Sequence, residues 1–154
     1  DRVVQGISLL AGAAGPSGMV AGQVLDLSME GKAAGVQEVR RMYSLKTGAM
    51  FRASAETGAI LGGGSPRDLK AAREWAGAFG FAFQVLDDID DLTQSTKERE
   101  KDVLLREITV EDARIEAIGA LRASLDILEQ AGCRNELARS LSLHYMAKAG
   151  PGSG

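Results

Sequence analysis

Residues 79–92 read Phe79-Gly80-Phe81-Ala82-Phe83-Gln84-Val85-Leu86-Asp87-Asp88-Ile89-Asp90-Asp91-Leu92, an apolar run that passes directly into four carboxylates. On a helix, positions i, i+3, i+4 and i+7 share an arc roughly 100° wide, so Gln84, Asp87, Asp88 and Asp91 fall on one face. The acids close a helical pattern, where the macrodipole is negative. Dipole and mutual repulsion both disfavour them there, the latter by about a few tenths of a kcal/mol per pair. A cation at this face relieves both. Oxygen donors without His or Cys suit Mg²⁺, which tends to take about one or two carboxylates and completes its shell with phosphate and water oxygens. The plainer alternative is a solvated, frayed helix end.

The stretch from Phe83 to Asp91 resembles the second aspartate-rich motif, F-Q-x-x-D-D-x-x-D, of the trans-isoprenyl diphosphate synthases, the farnesyl and geranylgeranyl diphosphate synthase (polyprenyl synthetase) family. In that family the motif holds Mg²⁺ against an allylic diphosphate, and Asp87, Asp88 and Asp91 occupy its acidic positions. Asp90 departs from the pattern, which usually has an aliphatic residue there. Two upstream segments extend the resemblance. Gly18-Met19-Val20-Ala21-Gly22-Gln23-Val24-Leu25-Asp26-Leu27 is similar to G-M-x-x-G-Q-x-x-D-L, and Lys46-Thr47-Gly48-Ala49-Met50-Phe51 to K-T-G-A-L-F. Lys101 keeps the family offset of a diphosphate-binding lysine, with Glu100 where Gly is usual. Beyond Asp102 the match breaks, because the family's flexible K-x-T-Y segment has no counterpart before Val103. We expect this missing part to belong to a mobile lid around residues 93–102.

The resemblance covers roughly residues 3–102. It implies an all-α helical bundle of the isoprenoid synthase type, and a Mg²⁺-dependent prenyltransferase that condenses isopentenyl diphosphate with an allylic prenyl diphosphate. It assigns Asp87, Asp88 and Asp91 to metal, Lys46, Thr47 and Lys101 to catalysis, and Lys46, Thr47, Gln84, Lys101, Gln23 and Asp26 to substrate. It also implies a homodimer. The family's first aspartate-rich motif does not occur in the sequence, so the chain is expected to be inactive alone. The alternatives are a non-catalytic regulatory subunit of a heteromeric synthase, or a helical interaction module.

The residues themselves support this chemistry locally. Lys46 offers a point charge with several donors and Thr47 a hydroxyl, both suited to phosphate oxygens, although a Lys-Thr pair alone is usually only surface. Gln23 and Asp26 lie on one helical face among apolar neighbours and are expected to need buried partners, each other included.

The 154 residues are 45% hydrophobic and 25% charged, enough apolar material for one core. We expect a single domain over residues 1–150 and a flexible tail over 151–154. A net charge of -3 with scattered Lys and Arg gives no ground for nucleic acid. Cys133, the only cysteine, excludes an intrachain disulfide. No apolar run approaches the ~20 residues of a membrane helix, so a soluble, cytoplasmic protein without an integral membrane segment is expected.

The pattern predicts a buried helix over Val3 to Ala14, stopped by Gly15-Pro16-Ser17-Gly18, and another over Met19 to Met29. One block runs from Val36 to Leu61, its apolar stripe including Val39 and Tyr43. Gly62-Gly63-Gly64 reads as a connector, Ser65-Pro66 as an N-cap with Pro at the first helical position. Trp75, Phe79 and Phe83 form a core stripe. Thr93 to Asp102 reads as a loop. Thr109 and Asp112 imitate a capping box opening an amphipathic helix that Gly132 stops, and Asn135 to Lys148 is the last helix. His144 reads as a packing or surface residue.

Overall fold

A computed structural model describes residues 1–30, 32, 34–94 and 108–150. Among these residues there are helices and no strand: α1 (Arg2–Ala14), α2 (Met19–Met29), α3 (Val36–Lys46), α4 (Gly48–Leu61), α5 (Pro66–Gln94), α6 (Val110–Gln130) and α7 (Glu136–Ala149). The all-α class is therefore as expected. The segment 95–107, with Lys101 and nearly all of the expected lid, lies outside the described residues, as does the tail 151–154.

α5 is the axis. It packs on α4 to one side and α6 to the other, α6 carries α7, α4 carries α1, and α2 lies across α3. The aromatic stripe is core as read. Trp75 stacks on Phe79 with centroids 5.2 Å apart, and Phe79 meets Tyr145 edge-on at 5.4 Å. Phe51 joins from α4, 5.4 Å from Phe83, and the absent side chain of Gly80 admits it. Such pairs contribute about 0.5–1.5 kcal/mol each beyond their buried area. A polar thread crosses the same core: Trp75 Nε1 donates to Ser142 Oγ at 3.1 Å, and the Ser142 and Ser124 hydroxyls lie 2.8 Å apart.

The caps follow the local chemistry. Ser65 opens α5, its amide donating to Asp68 at 2.8 Å. Thr109 Oγ1 accepts from the Asp112 amide at 3.0 Å and opens α6. The Asp112 carboxylate accepts the Thr109 hydroxyl at 2.6 Å, so the two side chains are bonded to each other as well as to the helix start. Asn135 accepts from the Ala138 amide and opens α7. Gly63 and Gly132 end α4 and α6 with φ of 76° and 63°.

Four expectations are corrected. The block Val36 to Leu61 is two helices, broken at Thr47. α5 continues through Thr93 to Gln94, so the acidic motif lies inside the helix rather than at its last residues. In the turn at residues 15–18, Gly18 is needed because a β-carbon there would lie 2.0 Å from the Ala13 carbonyl. α1 is not a buried helix: Gly6 alone is buried, against Thr57, while Val3 and Ile7 are 56% and 62% exposed. Finally, Arg2–Met29 is long and apolar enough by composition to pass for a membrane span. The turn divides it into helices of 13 and 11 residues, each short of the ~20 that a bilayer requires.

Candidate functional site

The break at Thr47 sets one wall of the site and the last turns of α5 the other. Thr47 Oγ1 donates to Gln84 Oε1 at 2.7 Å. Gln84 Nε2 donates in turn to Asp88 Oδ1 at 2.8 Å, one turn further along α5. The other carboxylate oxygen of Asp88 accepts the hydroxyl of Tyr43. Both Tyr43 and Thr47 come from the α3 side, four residues apart. Thr47, Gln84, Asp88 and Tyr43 thus form a hydrogen-bonded arc that closes back on α3.

Lys46 faces α2, where its ammonium meets Asp26 Oδ2 at 2.5 Å, both side chains partly exposed. This contact is possible because α2 and α3 nearly touch: a β-carbon on Gly22 would lie 2.3 Å from the Lys46 amide nitrogen. Gln23, expected beside Asp26 with a buried partner, is exposed, because only Asp26 turns toward α3. The two do not act as a buried pair.

Asp87 and Asp91 are exposed and Asp88 is half-buried on the same face of α5. The Asp87 carboxyl is held above its ordinary range, first by desolvation and then by repulsion from Asp91 and Asp90, with Lys148 opposing. Lys148 of α7 forms an ion pair with Asp90, and hydrogen bonding to that carboxylate raises its own pKa. The residue that departs from the family pattern is therefore tied to α7, away from the arc. Among the described residues no three acidic, His or Cys side chains converge into a ready-made metal cage. That accords with a site in which Asp88 is occupied by protein donors while Asp87 and Asp91 face solvent.

Sequence reasoning missed Tyr43 as a site residue and placed it in the apolar stripe. It is buried, 5% exposed, so the stripe reading holds for its ring but not for its hydroxyl. The available signal was its spacing: four residues before Thr47, it shares that residue's helical face. His144 is exposed and edge-on to the Tyr145 ring, a surface residue as expected.

A profile of the polyprenyl synthetase family matches residues 5–124. The chain is 45% identical over 100 residues to the chloroplastic heterodimeric geranylgeranyl pyrophosphate synthase large subunit 1 of Arabidopsis thaliana, which covers 63% of this chain and 27% of that protein. It is 44% identical over 86 residues to the farnesyl diphosphate synthase of Geobacillus stearothermophilus, covering 56% of this chain and 29% of that one. The apo crystal structure of an FPP/GFPP synthase from Zymomonas mobilis superposes with a TM-score of 0.76 at 29% identity, covering 91% of this chain and 51% of that one. The chain thus spans less than a third of the length of these curated relatives and about half of the solved structure.

Proposed function

Because the chain belongs to the polyprenyl synthetase family, we propose that it supplies the allylic-diphosphate and Mg²⁺ side of a trans-prenyltransferase joining isopentenyl diphosphate to an allylic prenyl diphosphate. The observation that carries this reading is the arc from Thr47 through Gln84 and Asp88 to Tyr43. It ties the Lys-Thr segment to the aspartate face before a ligand arrives, which lowers the ordering cost of binding.

The donor set fits the metal. Asp87, Asp88 and Asp91 offer hard oxygens only, and the repulsion from Asp91 and Asp90 that adds to desolvation in raising the Asp87 pKa is what a dication relieves. These three residues would hold Mg²⁺, completed by diphosphate oxygens. When bound, the metal supplies Lewis-acid neutralisation of the departing diphosphate. Lys46 would exchange Asp26 for a phosphate oxygen, and Thr47 would turn its proton from Gln84 to another. Lys101 remains a proposed diphosphate ligand on its offset alone.

Thermal melts of the complete protein test this. Mg²⁺ with pyrophosphate should raise the midpoint, since a ligand that binds only the folded state stabilises it. Asp87→Ala should remove most of the rise; a rise of the same size in the variant overturns the metal assignment.

A second reading, a subunit of a heteromeric synthase, is favoured by the relative named as a large subunit. Exposed Val3, Val4, Ile7, Val24 and Leu27 on α1 and α2 suit either that partner or the expected second copy. Light scattering of the purified complete protein distinguishes a self-sufficient homodimer from a monomer awaiting a different chain.

A further inference from the structure

The interruption at Thr47 leaves a helical carbonyl to be accounted for. α3 ends at Lys46 and α4 begins at Gly48, so the helical ladder is interrupted across this junction, with the Ser44 carbonyl among the acceptors that face the break. The Thr47 amide still reaches Tyr43 and the Phe51 amide reaches Thr47, which confines the fault to the junction. Arg52, on the next turn of α4, folds back across the break. Its Nη2 donates to the Ser44 carbonyl at 2.8 Å and lies 3.4 Å from the Ser44 hydroxyl.

Gly48 makes room for that path, and Gly77 borders it at ordinary contact distance. A β-carbon on Gly48 would lie 3.0 Å from Arg52 Nη1, and one on Gly77 of α5 would lie 3.8 Å from Arg52 Cδ. Together with Arg40, Tyr43, Ser44 and Phe81 they line a cleft of about 230 Å³. Among the described residues the Arg52 hydrogen bonds go to Ser44 and not to a carboxylate. Its pKa is lowered by burial and by the Arg73 charge. A cation held there against both effects, donating to one backbone carbonyl, is placed for geometry rather than for charge pairing. What it fixes is the junction whose two residues, Lys46 and Thr47, reach Asp26 and Gln84.

We propose that Arg52 is a positioning residue: its guanidinium staples the Ser44 carbonyl and holds the α3–α4 break at the angle that aims Lys46 and Thr47 at the diphosphate. This rests on the function proposed above for those two residues. In the complete protein Arg52→Met keeps the aliphatic stem and removes the donors. It should raise KM for the allylic diphosphate roughly ten-fold, the equivalent of one charge-assisted hydrogen bond, and leave KM for isopentenyl diphosphate unchanged. Arg52→Lys, which keeps one donor, should fall between the two. Gly48→Ala should act in the same direction by crowding Nη1, and its effect should not add to that of Arg52→Met, because both remove the same contact.

If Lys46→Ala raises the allylic KM while Arg52→Met and Arg52→Lys do not, the staple is wrong and the proposed function stands. If Lys46→Ala also has no effect, the function assigned to the pair fails first. A rise of equal size in both KM values marks a general structural loss and likewise overturns the positioning role. Should Arg52→Met fail to fold, the same KM comparison on Arg52→Lys decides.

Discussion

Gly22 on α2 lies so close to Lys46 on α3 that an added β-carbon would fall 2.3 Å from the Lys46 amide nitrogen and 2.7 Å from its Cβ. No flexible side chain can yield there, since the nearest atom is backbone. Gly22→Ala should gain about 1 kcal/mol of helix propensity but lose more than that to overpacking, on the order of 1–3 kcal/mol or beyond. The helices would part and the Lys46–Asp26 contact with them. Urea unfolding should show a net loss of stability in Gly22→Ala; a variant as stable as the native protein would mean that the crossing is looser than described.

Glu56 on α4 is buried and held by a two-pronged contact from Arg73 on α5, with both N–O distances 2.7 Å. Removing the arginine strands a buried carboxylate. Because the Arg73 side chain is 58% exposed, water can partly replace it, so Arg73→Ala should cost about 2–3 kcal/mol rather than the larger loss of a fully buried pair. Glu56→Gln should cost less, since it strands no charge. Denaturant midpoints check the order, which must be Arg73→Ala below Glu56→Gln.

Much of this fold is legible where a single local force decides the outcome. α2 spans Met19–Met29 as read, and Ser65, Thr109 and Asn135 cap their helices because each has a short oxygen-bearing side chain that accepts from an amide of the first turn. The break at Thr47 is illegible because the apolar period runs straight through Lys46-Thr47-Gly48 without a proline. The force that maintains the break comes from Arg52, eight residues from its acceptor. Exposure of α1 is illegible for another reason: its apolar residues suit burial, and whether anything covers them is a tertiary matter. At the site, the spacing of the aspartates shows in the sequence, but the capture of Asp88 by Tyr43 depends on how α3 crosses α5.

Asp68 gives a pH signature. Its carboxylate accepts from the Ser65 hydroxyl and amide, which with nearby Arg67 hold its pKa below the ordinary 3.8. A depressed acid contributes stability above its unfolded value and loses it as pH falls through the folded one. Asp68→Ala should therefore melt below the native protein at neutral pH, and the gap should narrow as pH drops below 3.8. Melting curves across that range check it; a gap that widens on acidification contradicts the assignment.

Tyr43 can act on Asp88 in two opposite ways, and one substitution separates them. Its hydroxyl donates to one carboxylate oxygen while Gln84 holds the other at 2.8 Å, so Asp88 is fixed from both sides. If the phenol aims the carboxylate, Tyr43→Phe frees it to rotate. Binding of Mg²⁺ with pyrophosphate to the complete protein should then weaken by about five-fold, the equivalent of one hydrogen bond of ~1 kcal/mol. The ring stays in the core, where the residue is 5% exposed, so the loss of stability should also be only about 1 kcal/mol. If the phenol instead competes with the metal for the oxygen, the same change should tighten binding. The aiming role is expected, because a carboxylate oxygen keeps a second lone pair after accepting one proton and an oriented ligand loses less freedom on binding. Calorimetric titration of native protein and variant decides between the two, and tighter binding by Tyr43→Phe would remove Tyr43 from the supporting frame of the site.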